Sequence, residues 1–551
     1  MNRIALVLVA ALCLACGGAS QSSAPTASRE PDFSAERFKA HVTFLADDLL
    51  EGREAGTRGH EIAARYIASQ FDQLGVRPGG RNGSYFEPVE LLDSELAGAA
   101  PSAVLKAPSG AHVLKHGDTA IILGPTGGGE AAIETPLVFV GYGITDPTVG
   151  EDDYAGLDVR GKIVVALRDS PPAIDSEVGA HLSSEQPRVA ADHGAVGVIR
   201  VLTRRTAKAF PWQLLVDDAK NQATTWVGRD GTPFDSSGGL KTTISIKPTE
   251  AGWLFEGAPR TIDQVLDDAE KKGPVKGFSL RTTAAIRVAT KPRRYSSPAV
   301  IGALEGADPQ LKNEYIVLMA HADHIGVRPD GSGDRINNGA LDNAAGVATL
   351  IEVAHGLQTA PTRPRRSVLI VANTAEEKWL LGADSFAHDP TVPIERITAA
   401  VDLDMPMLLY DFTDVVAYGA SHSTLRATFE KAAAGMGVKL SPDPMPEQAI
   451  FVRSDHYPLA KRGVPAVMLA TGMANGGSAA WATFLEKHYH QPSDDLSQPI
   501  VWKAGARFAE LNYRAVRLLA DADARAQWYA GDYFGNLFAP KAPKANKEAR
   551  Q

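Results

Sequence analysis

Apolar and polar positions follow three successive patterns along this chain. Residues 33–45 carry apolar side chains at helical spacing. A polar stretch, 47–57, ends at Thr57, a residue type that caps helices. Residues 61–74 then predict an amphipathic helix with Ile62, Tyr66, Ile67, Phe71 and Leu74 on one face and Gly75 as its C-cap. Residues 85–92 read as a strand. From about Gly98 the period shortens. Runs of β type at 119–123, 135–142, 162–167, 197–202 and 242–246 are separated by turn residues, and helical spacing returns only at 184–193 and 261–272. Beyond Pro292 the pattern predicts strands at 299–304, 315–320, 366–372, 399–403, 415–418 and 466–470, alternating with helices at 343–357, 380–387, 423–434 and 500–520. Such alternation implies an α/β fold: a mixed, mostly parallel sheet sandwiched by helices. Residues 541–551 are polar and read as frayed.

The change of pattern divides the chain. Residues 33–96 and 293–535 form one unit, residues 97–292 an inserted β-rich unit, and 536–551 a polar tail. A length of 551 residues fits two folded units, and 44% hydrophobic with 22% charged residues places the chain in the globular class. The formal charge of −9, without a dense Lys/Arg patch, gives no footing for nucleic acid.

Both cysteines, Cys13 and Cys16, fall in the first twenty residues. Met1-Asn2-Arg3 and the apolar run 4–15 form a signal peptide, too short to span a membrane. Leu14-Ala15-Cys16-Gly17 resembles a bacterial lipoprotein processing site, with Cys13 where Leu is usual. A lipid on Cys16 would hold the protein at the cell envelope or periplasm; plain secretion is the alternative. Residues 17–32 read as a flexible tether. No later stretch reaches the roughly 18–20 apolar residues of a spanning helix.

Candidate chemistry gathers at the ends of predicted strands: His321, Asp342, the pair Glu376-Glu377, Asp404 and His490. In an open α/β sheet such ends meet at one edge, where ligands bind. Two histidines and several carboxylates suit Zn²⁺. Adjacent carboxylates do not both ionise cheaply without a cation. Glu377 on a metal and Glu376 free as general base resolve that conflict. Each residue alone has a plainer reading. The glutamate pair suits a helix start, Asp342 an N-cap, Asp404 a solvated strand end, and either histidine a structural role.

Order and company decide between these readings. Ala320-His321-Ala322-Asp323-His324, Asn338-Gly339-Ala340-Leu341-Asp342-Asn343, Thr374-Ala375-Glu376-Glu377, Asp402-Leu403-Asp404, Ser454-Asp455-His456 and His488-Tyr489-His490 occur in that sequence. The series resembles the co-catalytic di-zinc exopeptidase family, which includes bacterial secreted aminopeptidases, glutamate carboxypeptidase II and the transferrin receptor. Residues 45–53 and 138–167 resemble members with an inserted protease-associated domain. The resemblance implies one zinc on His321, Asp342 and Asp404 and a second on Asp342, Glu377 and His490, with Asp342 bridging. It also implies Glu376 as the base, Asp323 orienting His321 through its far ring nitrogen, and Asp402 in support. Two departures stand out: Lys378-Trp379 follows Glu377 where the family usually has Gly at the second position, and Asp402 stands where Asn is common.

The expected function is a zinc-dependent exopeptidase acting on peptides, an aminopeptidase first. A carboxypeptidase- or dipeptidase-type hydrolase would use the same site, and a catalytically dead envelope binding protein would keep only the fold.

Overall fold

A computed structural model describes residues 30–271, 275–329 and 332–547. The leader 1–16 with Cys16, residues 17–29 of the tether and residues 548–551 of the tail lie outside the described residues.

The predicted sheet is present, and its register explains how the site assembles. Strand Tyr315–His321 lies parallel between Ser367–Asn373, with His321 opposite Asn373, and Ile397–Asp402, with Met319 opposite Asp402. Ile397–Asp402 in turn pairs in parallel with Ala466–Thr471. Antiparallel neighbours flank this parallel core: Asp414–Tyr418 against Ala466–Thr471, and residues 300–304 against Ser367–Asn373. These central strands are continuous apolar runs because both faces are covered; Val317, Leu318, Met319 and Ala320 are fully buried. Helices Ala35–Leu45, Ala345–Thr359 and Trp502–Asp521 pack together on one face. Ala345–Thr359 is apolar nearly all round and sits inside this layer. Its one buried carboxylate, Glu352, is held by Arg37 at 3.0 Å.

Four parallel strands therefore carry their carboxyl ends to one edge. His321, residues 374–377 and residues 402–404 follow those ends, so they converge although far apart in sequence.

The inserted region is built differently from its surroundings. Residues 278–304 form a single strand whose first half alternates buried and exposed positions. It crosses Pro292 and Pro298 without interruption, pairing them with Ser94 and Pro88. Prolines ordinarily argue against a long strand, so only the 299–304 end was expected. The expected boundary at Pro292 thus falls inside a strand. Chain entry and exit form one antiparallel ribbon, Phe86–Leu96 against residues 290–300. Beyond the ribbon, Gly129–Phe139, Ile163–Arg168, Gly197–Leu202 and Thr242–Ile246 lie side by side in parallel. Helix Ser176–Asp192 makes one crossover. It starts eight residues before the expected 184, where Asp175 accepts the N–H groups of Glu177 and Val178, and it contains Pro187.

The tail also differs from expectation. Residues 533–538 are helical, and Lys544 donates to the Gly535 carbonyl at 2.7 Å, so polarity here marks a packed C-cap rather than fraying.

One histidine ties these parts together. His422 Nδ1 lies 2.7 Å from Asp532, just ahead of the tail, and Nε2 lies 2.8 Å from Glu177 of the insert. Burial opposes its charge, but the two carboxylates win and raise its pKa from 6.5 to about 9. A raised folded pKa gives stabilisation that is complete below about pH 6.5 and lost as pH rises through about 9. The shift corresponds to about 3 kcal/mol at most. The melting temperature should therefore fall between pH 6.5 and 9.5 by more in the natural protein than in His422→Gln. Equal pH slopes in the two proteins would exclude this junction as the cause.

Candidate metal centre

His321 is the last residue of its strand and is buried. Its Nδ1 lies 3.1 Å from the Asp323 carbonyl oxygen. A carbonyl only accepts, so the proton sits on Nδ1 and the Nε2 lone pair points into the site. The Asp323 carboxylate is 3.9 Å from Nδ1 and instead accepts the backbone N–H groups of Glu376 and Glu377 at 3.2 and 3.4 Å. The expected hydrogen bond from Asp323 to His321 therefore comes through its main chain, and its side chain fixes the glutamate turn.

Asp342 is no N-cap. It sits in the turn Ala340–Ala344 with non-helical backbone angles, ahead of the helix that begins at Ala345. Asp494 holds this turn by accepting the N–H groups of Leu341 and Asp342 at 2.9 and 3.0 Å. Glu376 and Glu377 follow strand Ser367–Asn373, and Asp404 follows strand Ile397–Asp402. His490 comes from the loop after helix Gly477–Lys487 and keeps 24% of its side chain exposed.

The polar atoms meet in two groups that share Asp342. His321 Nε2 is 3.3 Å from Asp342 Oδ1 and 3.2 Å from Asp404 Oδ1. His490 Nε2 is 3.3 Å from Asp342 Oδ2 and 3.2 Å from Glu377 Oε2. Ligands on a tetrahedral ion at about 2.0 Å stand roughly 3.3 Å apart, so both groups fit the edges of a zinc coordination shell. Separately, His321, Asp342 and Glu377 offer donor atoms within 4.8 Å of one another. All five expected metal ligands are thus brought together, with Glu376 beside them.

Residues 299–516 match peptidase family M28. The chain carries a peptidase family M28 domain. It is a metallopeptidase, and peptides are its substrates. The match bears out the resemblance to the co-catalytic exopeptidases noted from the motifs. Solved structures of similar shape include an aminopeptidase from Aneurinibacillus sp. strain AM-1, 20% identical, covering 89% of this chain and 94% of that one with a TM-score of 0.49. The zinc aminopeptidase BSAP from Bacillus subtilis is 18% identical over 89% of this chain and 95% of its own, with a TM-score of 0.43. A peptidase M28 precursor from Shewanella amazonensis SB2B is 17% identical over 89% and 97%, with a TM-score of 0.41.

Charge in the M28 site is concentrated and unequal. Burial, with Glu377 and Asp404 nearby, lifts Glu376 well above the ordinary carboxylate range against the pull of His321. Glu377 moves the other way, to about 2: burial resists its charge, but His490 and His324 favour it. Two adjacent carboxylates are driven apart, the arrangement that separates a proton acceptor from a ligand.

Several further residues, among them His324, Ser454, His456 and Arg53, surround the centre. His324 Nδ1 lies 2.6 Å from Glu377 Oε1. Ser454 Oγ lies 2.7 Å from both Asp402 Oδ2 and Asp404 Oδ2, and His456 Nδ1 lies 3.1 Å from Asp402 Oδ2. Asp402 thus anchors the Ser454–His456 segment beneath Asp404. Arg53 is fully buried and donates to the carbonyls of Ala322, Asn338 and Gly339, tying the 45–53 segment to the loops that carry His321 and Asp342. Burial lowers its pKa to about 10, short of neutrality at pH 7. The motifs containing these residues were visible; their partners were not, because they lie far away in sequence, and those of Arg53 are main-chain carbonyls that leave no sequence signal.

Proposed function

We propose that this protein is a zinc-dependent aminopeptidase that removes N-terminal residues from peptides at a two-zinc centre. Asp342 carries the reading: its two oxygens face different histidines, His321 and His490, each at 3.3 Å. His321, Asp342 and Asp404 hold one ion; Asp342, Glu377 and His490 hold the other. Zinc in these positions supplies Lewis-acid polarisation of the scissile carbonyl and acidifies water. Glu376 takes the proton of the attacking water and delivers it to the leaving amine. Its raised proton affinity suits that shuttle. Asp323 holds His321 in the required tautomer and the glutamate turn in place.

Charge favours a free amine as the substrate terminus. The carboxyl groups of Asp323, Asp342, Glu376, Glu377 and Asp404 line the site. A substrate ammonium is attracted to such a site, whereas a terminal carboxylate is not. The test compares free-amine peptides with the same peptides blocked at the N-terminus. Hydrolysis should fall at least 100-fold on blocking, a loss on the order of a buried charged contact. Turnover of blocked substrates alone would assign the site to carboxypeptidase-type or dipeptidase chemistry.

Residues 97–292 form the inserted protease-associated domain of this reading, with the 86–96/290–300 ribbon as its stem. The leader directs export, and Cys16 carries the lipid that keeps the protein at the envelope. Cys16→Ser should release it from the membrane fraction; retention there would remove the anchor. No helix among the described residues is long and apolar enough to cross a membrane.

A further inference from the structure

The turn that carries Glu376 and Glu377 is strained. Ala375, Trp379 and Leu380 all have positive φ, at 55°, 65° and 61°. Non-glycine residues in that region persist only where the surroundings over-determine them. Inside the turn, the Leu380 N–H donates to the Glu376 carbonyl at 2.8 Å and the Leu381 N–H to the Ala375 carbonyl at 3.0 Å. From the sheet side, Asp323 accepts the N–H groups of both glutamates. The opposite side is held by the insert.

That hold comes from the short helical segment Asp218–Ala223. Asn221 Nδ2 donates to the Glu377 carbonyl at 3.1 Å. The other half of the same amide, Oδ1, accepts from Lys378 Nζ at 3.1 Å. Lys378 is 3% exposed, and its ammonium also meets Glu54 at 3.0 Å. Next in the chain, Trp379 Nε1 donates to Asp218 Oδ2 at 3.0 Å. Three consecutive residues starting at Glu377 are thus bonded to two insert residues three positions apart. The insert segment is itself fixed: strand Thr224–Trp226 pairs with Phe86–Leu96, and Trp226 Nε1 donates to Asp384 at 2.8 Å in the helix that follows the turn. Trp379 stands where the family usually has Gly, and here it and its neighbour Lys378 are contacts to the insert.

We propose that Asn221 is a positioning residue for the Glu376-Glu377 turn, which makes the inserted region a working part of the metal centre. The proposal rests on Glu376 and Glu377 acting as described above. Asn221 supplies a donor and an acceptor at once, so it fixes the peptide after Glu377 and the side chain of Lys378 together. Losing the donor frees the Glu377 carbonyl and lets the strained turn relax, which displaces the Glu376 carboxylate from the attacking water. A displacement of about 1 Å is enough to slow chemistry up to 100-fold without weakening substrate binding.

The test uses the full chain and a small aminoacyl anilide, whose size makes steric gating by the insert irrelevant. Asn221→Ala should lower kcat about 10- to 100-fold with KM within about twofold, at unchanged zinc content and melting temperature. Asn221→Asp keeps the acceptor for Lys378 but presents no donor to Glu377, so it should be as slow as Asn221→Ala. Glu177→Gln loosens the insert at the distant His422 junction and should leave kcat unchanged. Natural kcat in both Asn221 variants would overturn the proposal. So would a loss that comes with lost zinc or lowered melting temperature, or an equal loss in Glu177→Gln. Glu376→Gln in the same assay separates the two levels. If it stays active, the reading of the centre fails; if it collapses while Asn221→Ala does not, only the role of Asn221 fails.

Discussion

Glu376→Gln should lower kcat by about 10²–10⁴-fold, the usual contribution of a positioned general base. The amide keeps the volume of the side chain and its place in the turn, because the turn is held through main-chain groups and through Asp323. It cannot accept the water's proton. Glu376 contributes no atom to either group of facing donors, so bound zinc should stay at the natural level and KM should change little. This combination, inert yet fully metallated, separates a base from a ligand. Turnover within a few-fold of the natural enzyme would remove Glu376 from its role.

Asp342→Ala should be the most damaging single substitution at the centre. Each other ligand belongs to one group; Asp342 belongs to both, at 3.3 Å from His321 and from His490. Its removal leaves each ion two protein ligands where catalytic zinc ordinarily has three. Zinc should fall well below two ions per chain, and activity should drop by more than the about 10²–10⁴-fold expected for loss of the base. The fold should survive, since Asp494 holds this turn through backbone N–H groups that alanine retains. A variant that still bound two ions and turned over peptides would show that Asp342 does not bridge.

What the sequence revealed, and what it hid, follows from where the information lies. His321, Asp404 and the glutamate pair were legible because apolar runs mark strands and the chemistry stands at their ends. Register then does the rest: His321 opposite Asn373 and Met319 opposite Asp402 bring those ends level. His490, expected at a strand end, comes instead from the loop after helix Gly477–Lys487. The long strand through Pro292 and Pro298 escaped notice because proline normally excludes a strand interior; here both lie on the ribbon, where the partner residues are Ser94 and Pro88. Asp323 does meet the far ring nitrogen of His321, but through its carbonyl rather than its carboxylate, a choice of atom that sequence does not reveal. Asn221 was invisible: it lies 156 residues from the carbonyl it holds. Nothing in its own surroundings marks it as part of the centre.

A centre in which two ions share one aspartate is open to test by counting its metal. Purified, fully active protein, dialysed and measured by elemental analysis, should contain two zinc ions per chain. Turnover should fall as chelator removes them and return when zinc is restored. Full activity with one ion per chain, or with none, would contradict it.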